Sequence, residues 1–277
     1  MGKIKSTNPR VGCRDCHEPA VMSGDQSAAA GLRALGFPDA AIELIGSNNS
    51  YGNNLSETSL MTLYRIMGEF ARLSGPALSI KEAAEGNMRL PEAMAMNLTQ
   101  PVRKGEPVTA IHQSAAMATV ALESGRTFEA DAVVLALPLP ALHQIEVTLP
   151  SSQQALLENI DYHKVVQLHC IVEEPFWESS GWSGSWWTDG PLGRVFTRPI
   201  LGTTRHNMTV WINGDDCDAL NSLDEATCTE TLTQALWKLM PSARDVTSVG
   251  QLVRWSADRY AGGAWALWLS LIHISEP

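Results

Sequence analysis

No stretch of this chain is apolar for long enough to cross a bilayer. The longest natural run, Ala132–Leu142, carries two prolines and falls far short of the roughly 20 residues a membrane-spanning helix needs. No apolar segment follows the polar opening Met1–Arg10, so nothing reads as a signal peptide. Basic residues are scarce: 20 Lys and Arg stand against 30 Asp and Glu, a net charge of −10, and no basic run exceeds Arg103–Lys104. Nucleic acid and anionic membrane surfaces both need a basic face, so neither is expected as a partner. The seven histidines form no HxH or HExxH pair, and no GxSxG elbow serves a serine hydrolase. Five cysteines, Cys13, Cys16, Cys170, Cys217 and Cys228, are too few, odd in number and too scattered for a disulfide framework. Their usage points towards a reducing compartment such as the cytoplasm.

What is present is globular in character. Apolar residues make up 44% and charged residues 18%, enough for a sizeable core and against disorder. Ser27–Leu44 reads as two short helices broken at Gly36-Phe37-Pro38-Asp39. Ser56–Ser59 can cap a helix through about Leu73, whose Leu60, Leu63, Tyr64, Met67 and Phe70 recur at helical spacing. Leu90-Pro91-Glu92-Ala93 opens another short helix. Strands are predicted at Val108–His112, Ala118–Leu122 and Ala132–Leu137, the last continuously apolar, as in a parallel strand buried on both faces. A helix at Gln153–Ile160 leads into a strand at Val165–Val172. Further strands are predicted at Trp186-Trp187, Val195–Thr197, Met208–Ile212 and Val249–Trp255, with a helix at Asp224–Leu239. Trp177, Trp182, Trp186 and Trp187 are read as sheet packing over a substrate cavity, and Asp215, Asp216 and Asp218 as a solvated loop. No metal ligand set is expected.

Five stretches in a fixed order then carry a resemblance. They are Gly86–Ala93 (GNMRLPEA), Pro107–Ile111 (PVTAI), Phe128–Pro140 (FEADAVVLALPLP), Ile160–Trp177 with Lys164 ahead of Pro175-Phe176-Trp177, and Trp255–Trp265 (WSADRYAGGAW). Together they resemble the flavin monoamine oxidase family. The resemblance implies an α/β (mixed α+β) fold in which a partial FAD-binding domain is interleaved with a substrate domain of mixed sheet and helices. The expected boundaries are 1–85 and 149–254 for the substrate domain, 86–148 for the flavin domain and 255–268 for a flavin-side loop. Residues 269–277, LSLIHISEP, resemble a translated sequencing adapter and are expected to add nothing to the fold.

The same resemblance implies the chemistry: oxidation of an amine C–N bond to an imine, with FAD as cofactor and oxygen as the acceptor. It gives Lys164 the role of holding a water at the flavin N(5), with a pKa lowered by desolvation. Trp265 becomes one wall of an aromatic cage that orients the amine. Val108 lies on the strand at the adenine end, and Trp255, Gly262, Gly263 and Ala264 lie beside the flavin ring, the two glycines where backbone approaches a flat ligand. Ala264 stands where some members carry a cysteine bonded to the flavin, so FAD is expected to be non-covalent. The family's GxGxxG turn and its second, C-terminal flavin motif are not found, and the chain as given is expected to bind FAD poorly and to be inactive. Two alternatives stand beside this reading. One is a carotenoid or porphyrin desaturase-like flavoprotein of the same superfamily. The other is a haem-bearing electron-transfer protein using Cys13, Cys16 and His17, which have the form of a c-type haem attachment motif; an incidental cysteine-rich loop is the preferred reading of those residues.

Overall fold

The computed structural model describes residues 26–73, 83, 85–158 and 160–268. The Cys13–His17 motif and the 269–277 tail lie outside the described residues.

The first described layer is helical. Helices α1 (Ala28–Ala34), α2 (Asp39–Ser47) and α3 (Leu60–Leu73) follow the predicted pattern. Ser27 caps α1 by accepting from the Ala30 N–H at 3.2 Å. Ala28, Ala29, Leu32, Ile42 and Leu55 make a small buried cluster, against which Leu63, Tyr64 and Met67 of α3 pack. The predicted periodicity of α3 is thus used for burial as far as Met67, while Phe70 is exposed.

Helix α4 (Arg89–Met96) leads to a four-stranded sheet built from β1 (Val108–Gln113), β2 (Ala118–Leu122), β3 (Thr127–Ala130) and β4 (Glu146–Val147), in the order β3-β2-β1-β4. β1 and β2 form a hairpin pairing, and β4 adds to β1 in parallel. Helix α5 (Leu139–Leu142) lies between β3 and β4.

The structure corrects one expectation here. Ala132–Leu137 is not a strand, and its burial is slight: Val134 is 87% exposed. A strand needs a neighbour to take up its N–H and C=O groups. Among the described residues this run has none, so an apolar sequence alone does not make it a strand.

Helix α6 (Ser151–Glu158) and strand β5 (Ile160–Tyr162) lead into β6 (Val165–Val172). With β7 (Ser185–Trp187), β8 (Arg194–Pro199), β9 (His206–Asn213) and, after helices α7 (Cys217–Asn221) and α8 (Glu225–Leu239), β10 (Thr247–Arg254), it forms an antiparallel sheet ordered β10-β6-β9-β8-β7. Its two faces differ by parity. Leu252, Leu168, Val210, Val195 and Trp186 are paired across the five strands, and the last four are buried in the main core. Cys228, Leu232 and Leu236 of α8 close that face. Asp224 caps α8, its carboxylate accepting from the Thr227 N–H at 3.0 Å. Each fully buried leucine there contributes about 1.5–3 kcal/mol. The described cysteines Cys170, Cys217 and Cys228 are reduced and sit on this same side.

Trp177 and Trp186 also belong to this core, with Phe176 edge-on to both rings. They fill the helix-covered side, whereas the sequence placed them over a cavity. The acidic loop is also different from expectation: Asp215 and Asp216 lie in a 3-10 turn (Gly214–Asp216) that runs into α7, where Asp218 sits. Finally, β11 (Ala266–Trp268) pairs with β5, bringing the 255–265 loop back against the start of β6.

Candidate active site

The opposite face of the five-stranded sheet is polar and aromatic. One row across it, in register, is Val253, Gln167, Trp211, Arg194 and Trp187. The next is Gln251, His169, Thr209, Phe196 and Ser185. Trp211 lies 5.7 Å from Phe196, ring to ring. The Arg194 guanidinium sits over both rings, at 5.4 Å and 5.6 Å.

Trp265 stands at the end of the Trp211 side of this face. Its ring is 6.3 Å from Trp211 and is stacked on His163 at 4.9 Å and 22°. The indole N–H donates to the Ser50 carbonyl at 2.9 Å. Two backbone bonds fasten the same stretch to the link between β5 and β6: His163 N–H to the Trp265 carbonyl (2.8 Å) and Ala264 N–H to the His163 carbonyl (2.9 Å).

His163 is fully buried, and sequence reasoning had missed it. Its Nε2 is 3.1 Å from Asn213 Oδ1. That oxygen also accepts from Trp211 Nε1 at 2.7 Å and from the Ser50 hydroxyl at 3.3 Å, while Asn213 Nδ2 donates to the Ser47 carbonyl. An amide oxygen only accepts, so Nε2 must carry the imidazole proton. Nδ1 is buried and has no hydrogen-bond partner among the described residues. Burial holds the His163 pKa below its ordinary value, more than Asn213 and Asp161 raise it. The ring facing Trp265 is therefore neutral at pH 7. The only sequence-level signal was a lone histidine immediately ahead of Lys164 and an apolar strand; its partner Asn213 is 50 residues away.

The two glycines of the 255–265 loop are required, though by protein neighbours. Gly262 has φ 62°, and a Cβ there would overlap the Pro140 ring. A Cβ on Gly263 would come within 2.6 Å of Tyr162 Cβ. The protein neighbours that crowd these glycines are thus Pro140 and Tyr162. Trp255, 39% exposed, reaches the sheet face by donating from Nε1 to Gln167 Oε1 at 2.8 Å. Val108 stands apart, as the first residue of β1, paired with Leu122.

Lys164 takes a different direction. Its ammonium donates to Asp215 at 3.0 Å and to Asp218 at 2.8 Å, two carboxylates that flank Cys217 of the helix-side core. Desolvation pulls its pKa down, but the hydrogen bonds and charges of Asp218 and Asp215 outweigh it, and the value is pushed up to about 12. This reverses the expected lowering, because the expectation supplied burial without the two carboxylates. Asn53 completes the joint: its Oδ1 accepts from the Lys164 backbone N–H at 2.9 Å, and its Nδ2 donates to Asp161 and to the Tyr162 carbonyl. The helical layer is thereby fastened to the strand that carries His163 and Lys164.

Comparison with solved structures places this architecture. Putrescine oxidase superposes with a TM-score of 0.76 at 20% identity, over 94% of this chain and 60% of that protein; one of the matching structures is the wild type bound to putrescine. Cyclohexylamine oxidase from Brevibacterium oxydans IH-35A gives 0.71 at 18% identity, over 95% of this chain and 60% of that one. This chain therefore spans about 60% of the length of the solved structures it matches. A model of the flavin containing amine oxidoreductases matches residues 24–271. The chain belongs to the flavin containing amine oxidoreductase family.

Proposed function

We propose that this chain supplies the amine-binding face of an FAD-dependent oxidase that converts an amine C–N bond to an imine, with oxygen as the final acceptor. The observation that carries the reading is Trp265, held rigidly at the end of a polar, aromatic sheet face by a neutral stacked imidazole, a backbone acceptor at Ser50 and a ladder to β5. An aromatic wall positions an amine by shape and contact without offering it a carboxylate to form an ion pair. The flavin, when bound, supplies the two-electron oxidation, and the protein's part is position and electrostatics.

The residues present fit the ring end of such a cofactor. Trp255 offers a partly exposed indole edge tied to Gln167, and Ala264 has no thiol, in keeping with non-covalent binding. Nothing in the sequence matches a GxGxxG phosphate turn, so no residue of this chain is assigned to the pyrophosphate. Gln167, Trp255, Trp265 and His163 are the residues assigned to the reaction face. Lys164 is proposed instead as a tether between β6 and the acidic segment, because its ammonium is already committed to two carboxylates.

The test is reconstitution with excess FAD and then anaerobic reduction of the flavin-loaded protein by a panel of primary amines, followed by loss of the oxidised flavin absorbance. Trp265→Ala should slow reduction at least tenfold, and Trp265→Phe should restore most of it. Failure of every amine to reduce the flavin, or full-speed reduction by Trp265→Ala, would overturn the reading.

A further inference from the structure

Arg194 is the one charged group of the Trp211 row. Its guanidinium is partly buried and has five N–H donors. Nη1 donates to Asn48 Oδ1 at 3.2 Å, Nε is buried without an acceptor, and the faces of Trp211 and Phe196 lie against the plane. No carboxylate among the described residues pairs with it; burial lowers its pKa, and the phenol of Tyr51 offsets part of that. Arginine keeps its charge under almost any burial. A desolvated cation with one neutral hydrogen bond and two ring contacts is undercompensated, and the shape of its planar fork matches a carboxylate. Lys164, also partly buried, is by contrast satisfied from within, by Asp215 and Asp218.

We propose that Arg194 determines specificity by receiving the carboxylate of the substrate, so that the preferred amines are ω-amino carboxylates. This rests on the amine-oxidising reading of the same face. With the amine at Trp265 and the carboxylate at Arg194, Trp211 neighbours both ends, its ring 6.3 Å from that of Trp265 and 5.4 Å from the guanidinium. The proposal places about an indole's width between the two groups, several bonds, which separates this class from α-amino acids. A diamine would bring its second ammonium towards Arg194, and like charges at close range discriminate against it.

The experiment uses three ligands of one chain length: 5-aminopentanoate, pentylamine and 1,5-diaminopentane. Binding to the protein is measured by tryptophan fluorescence and calorimetry, and flavin reduction by the same ligands is measured separately in the flavin-loaded protein. The expected order is 5-aminopentanoate tightest, at least tenfold over pentylamine (about 1.4 kcal/mol), with 1,5-diaminopentane weakest. Arg194→Gln should erase the preference. Arg194→Lys, which keeps the charge and loses the fork, should retain part of it, and it carries the test if the Gln variant fails to fold. Equal binding of the three ligands, or an unchanged order in a folded Arg194→Gln protein, would overturn the inference. If the binding order holds but no ligand reduces the flavin, the amine-oxidising reading fails and Arg194 remains a carboxylate site. If all three reduce the flavin without preference, the reverse is true.

Discussion

Replacing Lys164 with Met removes an ammonium from between two carboxylates while keeping most of the aliphatic stem. Its pKa rises from 10.5 to about 12, a difference of about 1.5 units, which converts at about 1.36 kcal/mol per unit to a ceiling near 2 kcal/mol. The side chain of Lys164 is only 29% exposed, but those of Asp215 and Asp218 are 47% and 60% exposed. Water screens much of that attraction, leaving about 1 kcal/mol. The Met variant should therefore melt about 3 °C lower near pH 7, at the roughly 2–4 °C per kcal/mol expected for a domain of this size. The pH window follows from the signs. The lysine's folded pKa is raised, so its contribution is complete below pH 10.5 and is lost as pH climbs through about 12. Asp215 has a lowered folded pKa, the net result of the hydrogen bonds from Asn54 and Lys164 prevailing over desolvation. Its share is present above its ordinary 3.8 and fades as pH falls below that. A double-mutant cycle with Asp218→Asn, read by chemical denaturation, should give a coupling of several tenths of a kcal/mol or more. Stopped-flow work on the flavin-loaded protein should find reduction and reoxidation affected alike. A coupling near zero would refute the tether, and a selective slowing of reoxidation would return Lys164 to the flavin.

His163 and His169 both have folded pKa values held below 6.5, foremost by burial. A depressed pKa means the unfolded chain binds protons that the folded chain refuses, so stability should be lost as pH falls below about 6.5. His163→Gln, which can still donate to Asn213, should flatten the fall in melting temperature between about pH 6.5 and 5; an unchanged slope would show that His163 does not titrate there. Gly262→Ala combines a positive φ with overlap on Pro140 and should cost about 1–3 kcal/mol in urea denaturation. A loss under about 0.5 kcal/mol would mean the loop moves aside freely.

Local patterns in the sequence went far in this chain. The break at Gly36–Asp39, the helix α8 and the apolar β6 were all readable, because each depends on neighbours within one or two turns of chain. Ala132–Leu137 was misread because a strand is a property of a pair, and its partner is not encoded in the run itself. The site was legible as a set of stretches but not as contacts. Trp265 was singled out by its place in a motif, yet the imidazole beneath it and the Asn213 oxygen that fixes its proton come from far upstream in the chain. Lys164 and Arg194 make the same point in opposite directions. Their charges are visible in the sequence, but whether a carboxylate waits nearby is decided only by the fold.

The division of the sheet into a core face and a row face has a consequence for oxidative wear. An oxidase that hands electrons to oxygen releases peroxide, and the form of cysteine that peroxide attacks is the thiolate. Cys170, Cys217 and Cys228 all lie in the core on the α8 side of the sheet. Burial raises their pKa values, to about 11 for Cys170 and about 12 for Cys217, where it is the leading cause. At neutral pH they are uncharged and shielded by a whole sheet from the face where the proposed chemistry occurs. The described part of the chain thus keeps its sulfhydryl groups both chemically quiet and remote from the face of the proposed chemistry.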